Sequence, residues 1–166
     1  MVEKMNYAQI KEFDTANGTG VRTTLFVSGC THQCQGCFNG AYQDFKYGKK
    51  WNETVEKKFL ESVENPQIMG VTILGGEPFQ QDDDLLNLLK KINKNIWIYS
   101  GYSYEEILKN EERKELLSYC DVLVDGPFIQ AQRDFKLRFK GSRNQRIINV
   151  KKSLIADKVK LLAGEN

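Results

Sequence analysis

Apolar residues fall into two periods along the chain, and the periods alternate. Residues 21–29, VRTTLFVSG, are rich in β-branched and aromatic side chains and end on glycine, which predicts a strand. Residues 52–64, NETVEKKFLESVE, set Val55, Phe59 and Val63 on one face with Asn52 ahead of them, which predicts a helix capped by Asn52. IMGVTILGG (68–76) is an apolar run closed by glycines and predicts a buried strand. QDDDLLNLLKKIN (81–93) opens on acids and closes on lysines, as the helix dipole favours, with Leu85, Leu88, Leu89 and Ile92 in one stripe. NIWIYSG (95–101) predicts a third strand, and SYEEILKN with EERKELLSY one helix or two short ones. CDVLVDG (120–126) predicts a fourth strand and RIINV (146–150) a fifth. YAQIKEFD, near the N-terminus, reads as an added edge strand.

Strands separated by helices of this length form βαβ units, so the expected architecture is α/β, a parallel sheet with right-handed crossovers. In such sheets the loops leaving the C-terminal ends of the strands share one edge, and sites form there. The segments leaving the strands here are distinctive. A cysteine cluster follows the first, Gly75-Gly76-Glu77-Pro78 the second, Ser100-Gly101-Tyr102 the third and Asp125-Gly126-Pro127-Phe128 the fourth. All four are expected on one rim.

The length of 166 residues suits one domain spanning 1–166, long enough to bury about 70% of its unfolded surface. A formal net charge of +2 gives no electrostatic ground for nucleic acid or membrane. No apolar run reaches the ~18 residues of a membrane span. The opening MVEKMNYAQIKEFD lacks the apolar core of a secretory leader. The expected location is the cytoplasm, where thiols stay reduced and clustered cysteines point to metal or chemistry more than to disulfides.

Residues 29–39, GCTHQCQGCFN, hold Cys30, Cys34 and Cys37. Thiolates bind zinc, copper(I) or iron–sulfur clusters. A structural zinc site needs four closed ligands, so His32 or Cys120 would have to complete it. His32 lies inside the cysteine loop, and Cys120 opens an apolar strand like a small core residue. Free thiols or a disulfide are a third possibility. The remaining reading is a [4Fe–4S] cluster, which normally takes four cysteines, held here by three. That leaves one iron open to a small molecule.

The C-x3-C-x2-C spacing followed by GGEP resembles the radical S-adenosylmethionine (SAM) enzymes. Within them, Gly36 before the third cysteine and Phe38 after it resemble one subgroup, the activating enzymes of anaerobic ribonucleoside-triphosphate reductase. NGTGVRTTLFVSGCTHQCQGCFN (17–39), LGGEPF (74–79), YSGY (99–102), LVDGPF (123–128) and GSRNQRII (141–148) carry the likeness. The resemblance implies a radical SAM fold, a partial TIM-like βα barrel with a mostly parallel sheet. It also implies one [4Fe–4S] cluster on Cys30, Cys34 and Cys37, and SAM chelated to the open iron. Reductive cleavage of SAM would give a 5′-deoxyadenosyl radical that generates a glycyl radical on the large reductase subunit, with a flavodoxin-like electron donor. By the same resemblance Gly36, Cys37 and Phe38 lie against the adenine, and Gly75 and Gly76 let backbone approach the methionine portion. Glu77 pairs with the SAM amino group, Ser100 reaches the ribose or carboxylate, and Asp125 faces the ribose or the incoming glycine. No catalytic side chain beyond cluster and SAM is implied. Activators of formate-lyase type are a neighbouring reading, though generally longer. A non-catalytic zinc-bound adaptor with a basic face is the reading from another class.

That basic face is RDFKLRFKGSRNQRIINVKK (133–152), with eight Lys or Arg and one acid. Aromatic and basic residues interleave there as in nucleic-acid binders. The near-balanced whole-chain charge speaks against nucleic acid, and the resemblance instead makes the segment part of the open side that meets the reductase or covers SAM, with Arg138, Arg143 and Arg146 as docking residues.

Overall fold

A computed structural model of the chain describes residues 4–166, so the first three residues of the MVEKMNYAQIKEFD segment lie outside the described residues. The strands are β1 (Asn6–Asp14), β2 (Arg22–Val27), β3 (Lys49–Lys50), β4 (Gly70–Gly75), β5 (Asn95–Tyr99), β6 (Val122–Asp125) and β7 (Arg146–Asn149). The helices are α1 (Glu53–Val63), α2 (Asp83–Lys90), α3 (Tyr104–Leu108), α4 (Glu111–Ser118) and α5 (Val150–Ala156). The strands form one seven-stranded sheet in the order β3-β1-β2-β4-β5-β6-β7.

β2, β4, β5 and β6 run parallel, as the alternation of strands and helices predicts. The outer strands depart from the expected parallel sheet. β1 is antiparallel to β2, and β7 is antiparallel to β6. β1 is not an edge strand either, because the two-residue β3 pairs on its free side. The β6–β7 connection contains no α-helix, and a parallel return in the same sheet requires a crossover. α5 is a further element without a counterpart in the hydrophobic pattern. It is capped by Asn149, whose side chain accepts from the Lys152 N–H.

The order β2, β4, β5, β6 advances in one direction, and crossovers of one hand then place every connecting helix on the same face. Strand alternation divides the residues accordingly. Leu25, Val27, Val71, Ile73, Ile96, Ile98, Leu123 and Ile148 point toward the helices and share one core with Phe59, Leu85, Leu88, Leu89, Ile107 and Leu117. Each such side chain, fully buried, stabilises by roughly 1.5–3 kcal/mol. The opposite face carries a smaller cluster, Trp97, Val122, Val124 and Ile147, with Tyr99, Phe139 and Leu162 packed on it. Among the described residues no α-helix covers that face. A hairpin-like strap does, held by the Arg133–Ser142 bridge and an Arg143 N–H bond to the Gln132 carbonyl at 2.9 Å.

At the N-terminal end of the parallel strands sits Arg22, fully buried and bonded only to neutral acceptors. Its guanidinium donates to Thr72 Oγ1, the Thr19 and Val71 carbonyls, and both oxygens of Asn95. Burial pulls its pKa down to about 10. Arg22 thereby ties the NGTG loop to β4 and β5, and that loop supplies Asn17 to the open face.

Candidate active site

The rim segments expected to converge do so. Cys30, Cys34, Cys37 and Phe38 from the cysteine loop line one cavity of about 660 Å³ with Gly75, Gly76 and Ser100. Asn17 and Tyr99 line its depth, and Phe135, Leu137 and Phe139 of the strap form its roof. The volume lies within the ~300–1,000 Å³ usual for small-molecule sites.

Backbone bonds from neighbouring turns shape the cysteine loop. Gly29 N–H donates to the Tyr42 carbonyl at 2.7 Å, Cys30 N–H to that of Gln43 at 3.0 Å, and Cys37 N–H to that of Cys34 at 3.2 Å. The Asn39 amide donates to the Gly75 carbonyl, joining the loop to the end of β4. His32 N–H points at Cys30 Sγ, 3.5 Å away. Burial pushes the Cys30 thiol pKa up; the His32 N–H opposes this, while Glu77 and the other two cysteines add to the rise. Such a thiol gives up its proton when a cation replaces it.

All three cysteines are unpaired and half-buried on one cavity wall. Among the described residues no three His, Cys, Asp or Glu side chains close on a single point as one metal ion requires. Three thiols spread over an apolar-lined wall fit a multi-iron cluster of the [4Fe–4S] kind. Cys120 is fully buried with its Sγ against the Leu116 carbonyl, and burial raises its pKa, so it is a core residue as its position in the sequence implies.

The two glycines at the end of β4, Gly75 and Gly76, have a role the sequence reading did not assign. Gly75 has φ +116°, and a Cβ there would run into the Val27 carbonyl. A Cβ on Gly76 would lie 2.5 Å from the Gly29 carbonyl. The pair is required for β2 and β4 to meet at their ends, where Gly76 N–H bonds the Val27 carbonyl and Glu77 N–H that of Gly29, both at 2.8 Å.

Glu77, Gly36 and Asp125 are not part of the cavity lining. Glu77 lies behind it, 1% exposed, taking the Ser100 hydroxyl and, at 3.4 Å, the Gly101 N–H. His32 Nε2 stands 3.4 Å from Glu77 Oε1 without hydrogen-bond geometry, and the His32 ring meets Tyr102 edge-on at 4.4 Å. Gly36 has φ +73° and turns the loop before Cys37, where a Cβ would press on the Gln130 side chain. Asp125 is taken up by Arg146 and by the Tyr104 N–H at 2.7 Å, so its carboxylate faces the start of α3 and not the cavity.

Phe38 packs on Phe128 with ring centroids 4.9 Å apart, and the Arg133 guanidinium lies 4.7 Å over Phe38 and 4.3 Å over Phe135. These contacts join cysteine loop and strap. The strap's anchors explain the GSRNQR segment. Gln145 accepts from the Gly141 and Ser142 N–H groups and donates to the Gly126 carbonyl, while Asn144 donates to that of Pro127. Tyr99 was also absent from the expected site residues. Its hydroxyl is buried without a partner, and burial pushes its pKa up. The β5 alternation, which pairs Tyr99 with Trp97 on the open face, was the available signal.

Residues 16–148 match a family model described as a 4Fe-4S single cluster domain. The chain is 37% identical over 150 residues to the anaerobic ribonucleoside-triphosphate reductase-activating protein of Haemophilus influenzae, across 85% of this chain and 96% of that protein. The like-named protein of Vibrio cholerae is 38% identical over 85% of this chain and 96% of its own length. That of bacteriophage T4 is 34% identical over 86% of this chain and 93% of its own.

Proposed function

The chain belongs to the family of anaerobic ribonucleoside-triphosphate reductase-activating proteins, and from that premise we propose that it is a radical SAM enzyme that generates a glycyl radical on its partner reductase. The observation that carries this reading is the meeting of Cys30, Cys34 and Cys37 with Gly75, Gly76 and Ser100 around one cavity. Held by Cys30, Cys34 and Cys37, a reduced [4Fe–4S] cluster would supply the electron for reductive cleavage of SAM, and the adenosyl radical so released would take a hydrogen atom from glycine, leaving methionine as the other product.

This chain's residues bind and orient. Cys30, Cys34 and Cys37 are the three ligands. Gly36 sets the turn into Cys37, and Phe38, backed by Phe128 and Arg133, offers a ring to the adenine. Glu77 is the buried anion for the SAM ammonium, and His32, now beside its Oε1, must yield that place. Ser100, oriented by Glu77, presents its oxygen to the ribose or carboxylate. Asp125 acts at a distance by fixing α3 and β7. A partial βα barrel fits helices on one sheet face with a ligand-sized hollow on the other. The partner is the large reductase subunit, the electron donor a flavodoxin-like protein and the location the cytoplasm.

The test is anaerobic reconstitution. The expected product is a brown protein with about four irons and four sulfides per chain. It should cleave SAM on reduction and give a glycyl-radical signal on the co-purified reductase by electron paramagnetic resonance. A colourless protein with one zinc would overturn the reading.

A further inference from the structure

We infer that Gln80 is a positioning residue for the cysteine loop, an inference that rests on reading that loop as the cluster's binding segment. Gln80 ends the 3-10 turn Pro78–Gln80, which follows directly on the Gly75-Gly76-Glu77 run. Its carboxamide is engaged at both ends. Oε1 accepts the Thr31 N–H at 2.9 Å, while Nε2 donates to Thr31 Oγ1 and to the Tyr102 hydroxyl, both at 2.8 Å. Thr31 follows Cys30, so this two-point grip holds the loop between the first and second cysteines.

The grip is itself held. Arg113 Nη2 donates to the same Tyr102 hydroxyl at 2.9 Å, and its guanidinium carbon lies 3.9 Å from the ring centroid. Arginine can only donate, so the phenol oxygen accepts from it, and the Thr31 N–H, which also can only donate, turns Oε1 toward the loop and Nε2 toward that phenol oxygen. The Tyr102 ring also meets His32, the residue after Thr31. One short turn therefore delivers Glu77 behind the cavity wall and Gln80 to the outside of the cysteine loop. Thr31 is exposed and Gln80 half-buried, so the network contributes little to the core and acts on loop geometry. Residues that orient metal ligands in this way typically change metal retention by about 10- to 100-fold when lost.

The experiment follows cluster absorbance under an iron chelator, using full-length protein reconstituted without oxygen. Gln80→Ala should lose iron about 10-fold faster than the parent, with the melting temperature of the iron-free protein unchanged. Gln80→Glu keeps the acceptor for Thr31 N–H, and the Thr31 and Tyr102 hydroxyls can turn to donate to it. It should retain iron close to the parental rate, with a lower cluster midpoint potential from the added negative charge. Parental retention in Gln80→Ala overturns the inference and leaves the function intact. A parent chain that takes up no cluster overturns both. Should Gln80→Ala also melt earlier, Thr31→Val carries the test: faster iron loss supports the grip, and unchanged loss overturns it.

Discussion

Ser100 donates its hydroxyl hydrogen to the carboxylate of Glu77 across two adjacent strand ends, in a pocket where Glu77 is 1% exposed. A carboxylate buried this far, with an arginine on neither oxygen, is suited to receive a cation from a ligand. Glu77→Gln keeps the shape and an acceptor for Ser100 but removes the charge. It should leave iron content unchanged and weaken SAM binding by roughly 10- to 100-fold, the value of a charge-assisted hydrogen bond. Calorimetry on the anaerobic protein measures this, and parental affinity would remove Glu77 from the SAM site.

The cysteines separate by burial. Cys34→Ala should abolish iron retention and SAM cleavage together. Cys120→Ala should keep full iron content and lower stability by about 1 kcal/mol, as loss of a small core side chain does. Iron and sulfide analysis beside thermal melting reads both. Metal loss in Cys120→Ala would revive the four-ligand reading that its buried Sγ argues against.

Much of the parallel core was legible in the sequence because apolar period and caps agree there. Asn52 caps α1 through the Val55 N–H, and Leu85, Leu88 and Leu89 are buried on α2 as their stripe requires. The cysteine loop and the glycine pair announced the rim by position alone. What stayed hidden depends on contacts distant in sequence. β1 and β7 have strand composition, but their direction follows from connections without a crossover helix. α5 has only seven residues, with Val150 and Leu154 turned to the core and Ile155 88% exposed, so its apolar side is too short to announce a helix. Phe135, Leu137 and Phe139 alternate with cations, and that interleaving, which in the sequence suggests a binding surface, is the strand-like signal of an apolar face turned to the cavity. Gln80 and Asp125 owe their roles to Thr31 and Arg146, and single-chain spacing does not encode those partners.

Asp14 ties the loop carrying Asn17 to β2. Burial raises its pKa, but the Ala16 N–H, the Asn17 amide and the Thr24 hydroxyl outweigh that and leave it lowered. A carboxyl lowered on folding gives stability that is fully present above its ordinary 3.8 and lost as pH falls through the folded value. Asp14→Asn should therefore be about 1–2 kcal/mol less stable than the parent at pH 7, with the gap closing below pH 3.8. Urea melts at both pH values check the sign, and a gap independent of pH would show that the charge contributes nothing.

The basic segment does not act as one surface. Arg146 is committed inward, 2.5 Å from Asp125 Oδ2 and 2.7 Å from Glu105 Oε2. Arg138 lies 3.6 Å from Glu165, whereas Arg143 is exposed at the end of the strap. Charge reversal should split the three. Arg146→Glu leaves the buried Asp125 facing another acid, and because Arg146 is 34% exposed the cost falls short of that for a fully buried pair. It should destabilise by on the order of 2 kcal/mol, a fall of about 4–8 °C in Tm. Arg143→Glu should leave the melt within about 0.5 kcal/mol of the parent and weaken association with the reductase. The loss should shrink as salt rises, because exposed charges are screened within a Debye length of about 10 Å at 0.1 M. Melting curves and anaerobic binding at two salt concentrations give both readouts. Unchanged binding by Arg143→Glu would move the docking surface off the strap, and parental stability of Arg146→Glu would show that the Asp125 pair contributes nothing to holding β6 and β7 together.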